Sequence, residues 1–305
     1  MNSTQRAAKG AKKRRSESAK PSPAVVRPKI ATALIKRNRS RSLDEWYKAT
    51  NYIYAYQNFY RDPLSIFAHL VEVVGGLSQL SSAKHKSGVS PEEYLVKCIA
   101  WWFTLCGKLR VRSVAELLWS KFPGVCTYCQ LPEHDDPICK EKKKDNPNPI
   151  WEQLKAVGTK TQQPSSLGSW QRMFRQIYKP TPKPNFQMTY ARLSEELGEL
   201  SEAVRIFPVN PGYFLSEAAD VFAWLMNIQN NIDCRDKKPE EEYGNTLQDA
   251  FYKAYPDHCI ECSEQRCICA PILKGTIGRI AHELPVSPTF FNVHDIFLIP
   301  AASRS

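Results

Sequence analysis

The sequence lacks any long apolar segment. None of its 305 residues lies in a run near the roughly 18 apolar residues that a membrane span needs, and no apolar stretch follows the basic N-terminus as in a secretory signal. Stretches that alternate in polarity, as β-strands do, are also few. We therefore expect a cytoplasmic, all-α protein with no membrane partner. The hydrophobic share of 42% is sufficient for a buried core.

Acidic residues are nearly missing from the first 42 positions. This segment holds thirteen Lys or Arg and one acid, Glu17, so its net charge is +12. Because the whole chain has a net charge of +11, the remaining residues together carry −1. It is rich in Ser, Ala and Pro and has no apolar period, which predicts a disordered basic tail over residues 1–42. Such a tail either binds polyanions weakly, by counterion release, or acts only as a solubilising extension.

Three blocks of sequence occur twice in the same order. The first members are HLVEVVGGLSQL (69–80), YLVKCIAWWFTL (94–105) and ELLWSKFPGVCTYC (116–129), and they align with RLSEELGELSEA (192–203), FLSEAADVFAWL (214–225) and DAFYKAYPDHCIEC (249–262). Shared order with loops of different length predicts an internal duplication. The alternative is a set of amphipathic helices that merely look alike.

The duplication predicts the domain organisation. Each half reads as helix, loop, helix, longer connection, helix and a cysteine knuckle, the first over residues 43–145 and the second over 165–270. Residues 146–164 have no apolar period and are interpreted as a linker. The prolines of residues 271–305 indicate an extended C-terminal tail.

Apolar residues of the second half recur at intervals of three and four. One stripe is Leu193, Leu197, Leu200, Val204 and Phe207, and the other is Leu215, Ala218, Phe222, Leu225 and Met226. Such spacing predicts two amphipathic helices. Pro208 and Pro211 lie between them, so we expect a tight helical hairpin.

Four carboxylates lie beside these apolar stripes. Residues three apart share a helix face, so Glu196 projects with Glu199 and Glu217 projects with Asp220. Carboxylates that converge at a helix interface repel one another unless a cation lies among them. Magnesium takes oxygen ligands and keeps positions open for water and phosphates. The pattern therefore predicts a Mg²⁺ site, and a solvated acidic face is the alternative.

The paired acidic motif resembles that of a known family. EELGEL at 195–200 followed by EAAD at 217–220 looks like the EExxE and ExxD motifs of the MazG-like, all-α nucleoside triphosphate pyrophosphohydrolases. The resemblance covers about residues 165–260. It implies hydrolysis of a (d)NTP to the monophosphate and pyrophosphate, with Glu196, Glu199, Glu217 and Asp220 as ligands of Mg²⁺.

Three further residues are candidates for the chemistry. Glu195 could orient or deprotonate the attacking water, although it lies away from the face of Glu196 and Glu199. Asn227 falls where several family members carry an asparagine. Lys253 is a candidate phosphate partner, and an ordinary exposed lysine is the alternative.

The first half lacks every carboxylate of the motif. The alignment places Val73, Gly76, Lys97 and Ala100 at the positions of the four acids. Family members usually assemble from two or more copies. We therefore expect the degenerate half to act as a built-in partner in a pseudo-dimeric bundle, and a further homodimer stays possible.

Seven of the ten cysteines fall in two clusters. Cys259, Cys262, Cys267 and Cys269 are spaced as four ligands of a structural zinc ion. In the first half, Cys126, Cys129 and Cys139 align with this cluster, and His134 is the nearest fourth ligand. Reduced thiols without a metal are the alternative for both.

The leading functional hypothesis is a Mg²⁺-dependent nucleotide pyrophosphohydrolase with structural Zn²⁺. The alternatives are a zinc-knuckle protein that binds nucleic acid or acts as an adaptor, and a nucleotide sensor. Trp170, Phe174 and Tyr178 precede the acidic helix at helical spacing, and either base recognition or a core stripe accounts for them.

Overall fold

The computed structural model describes residues 41–81, 90–146, 151–181, 183–259 and 262–269. Within these ranges the chain forms eleven α-helices and no β-strand, so the all-α prediction is confirmed. The helices are α1 (Leu43–Ile53), α2 (Ala55–Phe59), α3 (Pro63–Ser81), α4 (Pro91–Lys108), α5 (Val114–Lys121), α6 (Asp136–Asp145), α7 (Trp151–Gly158), α8 (Leu167–Ile177), α9 (Phe186–Arg205), α10 (Pro211–Arg235) and α11 (Asn245–Ala254). A 3-10 turn, Glu240–Glu242, precedes α11.

Polar residues cap the starts of several helices. The Ser42 and Ser90 hydroxyls accept hydrogen bonds from the third backbone N–H of α1 and α4. Asp44 of α1 accepts hydrogen bonds from the N–H groups of Val114 and Ala115, at 2.9 and 3.1 Å. Its carboxylate therefore satisfies free donors at the start of α5 and ties two helices of the first half together.

Two helical hairpins form the centre of the fold. Helix α3 packs on α4, α9 packs on α10, and the hairpins meet where α3 contacts α9 and α4 contacts α10. The predicted break between the acidic helices is observed: α9 ends at Arg205 and α10 begins at Pro211, where proline needs no N–H partner. Both predicted apolar stripes face inward, and of their ten residues only Phe207 is incompletely buried.

One hydrophobic core joins the two halves of the sequence. Trp102 of α4 is fully buried, and its ring lies 4.9 Å from that of Phe222 in α10. Its indole N–H donates to the carbonyl of Ala218 at 2.9 Å. Large aromatic contacts of this kind dominate core energetics, so each half completes the core of the other.

The remaining helices surround the hairpins in matching positions. Helix α1 packs on α4 and α5, as α8 packs on α10 and α11. Helix α5 of the first half packs across on α10, as α11 of the second half packs across on α4. Each of these helix–helix contacts in one half thus has a counterpart in the other half, whereas the contacts of α7 and of the 3-10 turn have none among them.

The segment between the two halves contains a helix. The segment interpreted as a linker, 146–164, contains helix α7, whose Leu154 is buried. The Trp119 indole donates to the Gly158 carbonyl at 3.3 Å, so α7 packs on α5. Its eight residues were too few to show a period among polar neighbours. Nearly all of the basic tail and the whole extended tail, 271–305, lie outside the described residues.

Candidate functional site

The acidic site is built by the antiparallel hairpin of α9 and α10. Oxygen atoms of Glu196, Glu217 and Asp220 lie within 4.8 Å of one another. Glu199 does not belong to this group of three, but it lies beside Glu217 and raises the pKa of that carboxyl. The hairpin therefore brings together the residues that the motif singled out, with Glu199 at the exposed edge.

The carboxylates hold their protons more tightly than ordinary acids. Burial, together with the charges of Asp220 and Glu199, raises the pKa of Glu196 to about 7. Burial and the same two neighbours raise the pKa of Glu217 to about 8, although Lys121 opposes the rise. Burial also raises the pKa of Asp220. Such shifts are typical of carboxylates that are buried close to one another.

A lysine from the first half reaches into this site. Lys121, in the last turn of α5, is 5% exposed and pairs with the Asp220 carboxylate. Its ammonium also donates to the Ser216 hydroxyl at 2.8 Å and to the Ser216 carbonyl at 3.2 Å. Sequence reasoning missed this residue. The signal for it in the sequence is a lysine at the end of the apolar helix ELLWSK. Because an unpaired charge is costly to bury, such a lysine indicates a buried acidic partner.

Aromatic side chains border the carboxylates. The Trp224 indole donates to Glu196 at 3.2 Å. Burial and the three acids of the site raise the pKa of Tyr128 to about 12, so its hydroxyl lies within their electrostatic field. The partly buried Tyr178 also has a raised pKa, chiefly from burial, with Cys126 and Asp220 adding to it.

The other three candidate residues have different surroundings. Glu195 is exposed and forms an ion pair with Arg192 at 2.6 Å. Asn227 is half-buried on α10, two turns beyond Asp220, and accepts a hydrogen bond from Asn231 at 2.7 Å. The Lys253 ammonium is largely exposed and engages Glu93 of α4 at 2.7 Å. The structure thus pairs Lys253 with the first half, and the lysine that it brings to the acids is Lys121.

The corresponding place in the first half is filled by a side chain. A Cβ on Gly76, which aligns with Glu199, would lie 2.4 Å from the ring of Tyr94. The Lys97 ammonium lies 5.1 Å from the centre of the same ring, and Ala100 is buried. With Val73 as the fourth position, this half offers none of the carboxylates of the motif.

The first cysteine cluster assembles as the spacing predicted. Sulfur and nitrogen atoms of Cys126, Cys129, His134 and Cys139 lie within 4.8 Å of one another. The Nδ1 atom of His134 is 3.3 Å from the sulfur of Cys126, and its Nε2 atom is 2.8 Å from Asp136. A carboxylate on the outer nitrogen is the usual partner of a metal-binding histidine. This cluster could hold a metal ion such as zinc.

The second cluster assembles in the same way. The sulfurs of Cys259, Cys262, Cys267 and Cys269 lie within 4.8 Å of one another and could also hold a metal ion. Burial raises the pKa of Cys267 well above the ordinary range, so its thiol favours the neutral form unless a cation is near. The Cys267 N–H donates to the Ile53 carbonyl at 2.6 Å, and the Gln57 amide donates to the Cys267 sulfur at 2.8 Å. The cluster thereby joins the end of α1 to the second half.

The backbone of the two cysteine loops follows one pattern. The N–H of Cys126 donates a hydrogen bond to the carbonyl five residues later, and the carbonyl of Cys126 accepts one from the N–H four residues later. Cys259 makes the same two hydrogen bonds in the second loop, and all four distances are 2.8 to 2.9 Å. Positive φ angles occur at Gly124 and Gln130 in one loop and at Asp257 and Ser263 in the other. These are the same positions relative to the first cysteine, so the alignment of the loops extends to their conformation.

The aromatic residues before the acidic helix belong to the interior. Trp170 and Phe174 of α8 are buried in the main core, where the Phe174 ring lies 5.2 Å from that of Phe122. Tyr178 contacts the first cysteine cluster through its hydroxyl, 3.9 Å from the Cys126 sulfur. Burial in the core therefore accounts for Trp170 and Phe174.

No helix in the described part of the chain combines the length and apolar character required to cross a membrane. Comparison of the chain with family models, with curated proteins and with solved structures returns no match.

Proposed function

We propose that this protein is a magnesium-dependent nucleotide pyrophosphohydrolase that converts a (d)NTP to the monophosphate and pyrophosphate. One observation carries the proposal: Glu196, Glu217 and Asp220, from two facing helices, place their oxygens within 4.8 Å of one another. The resemblance of EELGEL and EAAD to the MazG-like motifs adds the reaction type. A solvated acidic face would leave these carboxylates exposed, whereas Glu217 is buried and the other two are partly buried.

The chemistry of the donor set fits magnesium. Carboxylate oxygens are the ligands that this ion prefers, and the exposed Glu199 can add a fourth. Burial and the neighbouring carboxylates raise the pKa of Glu196 to about 7 and that of Glu217 to about 8, and a divalent cation would offset the repulsion among these acids. When bound, magnesium would offset phosphate charge and lower the pKa of a coordinated water.

The residues of the chain would have distinct roles. Glu196, Glu199, Glu217 and Asp220 bind the cation, and Trp224 fixes the orientation of the Glu196 carboxylate through its 3.2 Å hydrogen bond. Glu195 could accept a proton from water only after it leaves Arg192, since the two form an ion pair at 2.6 Å. Asn227 follows Asp220 by two turns of α10 and would face a more distant part of the nucleotide.

We infer that the fold is a pseudo-dimer of two MazG-like units. The paired helix contacts support this arrangement, because each half repeats the packing of the other across the α3–α9 and α4–α10 contacts. The matched cysteine loops support it independently, through equal hydrogen bonds and equal positive φ positions. In this proposal each unit ends in a zinc-binding loop, and only the second retains the catalytic acids.

The reaction is tested by incubation with each NTP and dNTP in the presence of Mg²⁺, followed by separation of the products. Monophosphate with pyrophosphate supports the proposal, whereas orthophosphate as the first product contradicts it. Glu196→Gln and Glu217→Gln should each reduce the rate at least about 100-fold, since loss of an outer-sphere partner of a metal ligand alone costs 10 to 100-fold. The exposed Glu202, on the same helix, provides the matched control Glu202→Gln.

A second candidate function is nucleic-acid binding by the cysteine loops. Helix α6 favours it, because this helix contains Cys139 and exposes lysines 140 and 142–144. Binding of single-stranded nucleic acid that weakens steeply with salt, together with no hydrolysis of any nucleotide, would favour this candidate.

A further inference from the structure

The two cysteine clusters share a backbone pattern but face different parts of the molecule. The second cluster lies against the C-terminal end of α1, where Cys267 contacts Ile53 and Gln57. The first lies beside the acidic site of the second half. Their difference in position follows from the packing, since α5 leads into the first loop and contacts α10, whereas α11 leads into the second and contacts α4.

Direct contacts connect the first loop with the acids. Lys121 pairs with Asp220, and the Thr127 hydroxyl donates to the Lys121 carbonyl at 3.1 Å. Thr127 and Tyr128 stand between Cys126 and Cys129, so an ion held by these sulfurs would fix the turn that carries both. Through Thr127 and Lys121, the turn between the two cysteines is thus connected to Asp220 by direct contacts.

A second lysine approaches from the helix that follows the cluster. The Lys143 ammonium lies 4.1 Å from the centre of the Tyr128 ring, and its charge acts on Asp220. Lys143 stands four residues after Cys139, one turn along α6. The Lys142 ammonium donates to the Cys129 carbonyl at 3.2 Å, which holds α6 against the loop.

The buried ion pair between α5 and α10 is not repeated at the aligned positions of the other half. Lys121, Ser216 and Asp220 align with Ala254, Val96 and Ala100. The pseudo-symmetric helix pair, α11 and α4, carries apolar side chains at these positions, and its ion pair, Lys253 with Glu93, lies elsewhere and is partly exposed. Because α11 and α4 pack without a buried ion pair, the buried Lys121 next to the carboxylates points to ligand binding rather than to packing.

We propose that the first cysteine cluster forms a wall of the acidic site, where its bound ion holds Tyr128 and Lys143 in contact with the phosphate-bearing ligand. This inference rests on the proposed function. Lys143 would donate charge-assisted hydrogen bonds to phosphate oxygens, and the Tyr128 hydroxyl would supply a neutral donor. The second cluster, with its contacts to α1, remains a structural element.

Lys143→Gln tests the wall without disturbing the fold, because Lys143 is exposed on α6. We expect KM for the Mg²⁺-nucleotide to rise about tenfold, as one charged hydrogen bond to phosphate is lost. Binding of Mn²⁺ alone, measured by calorimetry, should not weaken, because this lysine contributes positive charge to the site. Lys144→Gln is the matched control, since Lys144 is also exposed on α6 and its replacement removes the same charge.

Cys139→Ser tests the contribution of the ion. We expect elemental analysis to find one zinc equivalent fewer, and KM to rise about as much as in Lys143→Gln. A helical circular dichroism spectrum would show that the variant is folded. Cys234→Ser, a thiol outside both clusters, should change neither quantity. If the Cys139 variant fails to fold, the Lys143 and Tyr128→Phe variants still decide the proposal.

The outcomes separate this inference from the proposed function. If the wild-type protein yields monophosphate and pyrophosphate, and KM is equal for Lys143→Gln and Lys144→Gln, the proposed wall is overturned and the proposed function stands. A wild-type protein that neither hydrolyses nor binds any nucleotide in calorimetry overturns both. A selective rise in KM for the Lys143 and Cys139 variants supports the wall.

Discussion

Lys121 of the first half donates a hydrogen bond to Asp220 of the second half and is itself almost fully buried. This ammonium lowers the pKa values of Glu196, Glu217 and Asp220 against the effect of burial. It therefore offsets part of the negative charge that a cation would otherwise neutralise. The first half, which lacks the acids, contributes a positive charge that stabilises them.

Replacement of this lysine should have opposite effects on stability and on cation affinity. Lys121→Met leaves Asp220 without its partner and should cost up to about 3 kcal/mol of unfolding free energy at pH 8.5, because Asp220 is largely desolvated. Mg²⁺ should bind several-fold more tightly, since a nearby positive charge has gone. Thermal unfolding and calorimetry measure the two effects. Lys155→Met, on an exposed position of α7, is the control; weaker Mg²⁺ binding by Lys121→Met at this pH would contradict the prediction.

Stability without divalent cations should fall as the pH rises from about 5 to 8. The pKa of Glu217 is about 8 in the folded protein and near 4.5 in the unfolded chain, so across this window the folded state binds more protons. Each added unit of pH then favours unfolding until Glu217 has lost its proton. Glu217→Gln should flatten the slope, and Mg²⁺ should restore stability at pH 8. An equal slope in the variant and the wild type would count against the pKa of Glu217 as its origin.

Removal of zinc by a chelator should destabilise the fold, and the loss of structure should begin at the two cysteine loops. We expect up to two zinc ions per chain by elemental analysis, and a lower melting temperature with a zinc-selective chelator in excess Mg²⁺. Removal of the second ion would free Cys267 from its contacts with Ile53 and Gln57, so exchange of amides in α1 should accelerate. A protein purified without chelator that contains no zinc would contradict the prediction.

The contact between Trp102 and the second half should be important for stability. Trp102→Ala removes a fully buried ring and the hydrogen bond to Ala218, and we expect a loss of about 3 to 5 kcal/mol in unfolding free energy. Chemical denaturation measures the change. The control Tyr60→Ala, at a side chain 57% exposed, should cost less than about 1 kcal/mol. Similar losses in both variants would refute a shared core.

The second half should not behave as a monomer on its own. Residues 165–270 alone would expose the surfaces of α9 and α10 that α3 and α4 cover, and an exposed apolar face of this size leads to association. We expect insolubility or self-association in size-exclusion chromatography, with recovery when residues 41–146 are co-expressed. An active, monodisperse monomer of the fragment would contradict the pseudo-dimer.

Sequence patterns predicted the parts of the structure that depend on local periodicity. The acidic hairpin, the inward face of Leu193 and Phe222, and the cysteine loops follow from spacing along the chain. Helix α7 did not, because its single buried leucine lies among polar residues. The sequence could not predict that Lys253 pairs with Glu93, because this contact depends on how α11 crosses to the first half; its role as a phosphate partner stays a prediction.

The sequence by itself determined which residues can share a helix face and which cysteines can share an ion, because both depend on separations of a few residues. Only the tertiary structure decided that Lys121 meets Asp220, ninety-nine positions away, and that the first cysteine loop lies beside the acids of the second half. Those relationships depend on how α5 packs across α10. The physical reason is that the two hairpins bury their apolar faces against each other, and this burial brings the third helix of one half to the acids of the other.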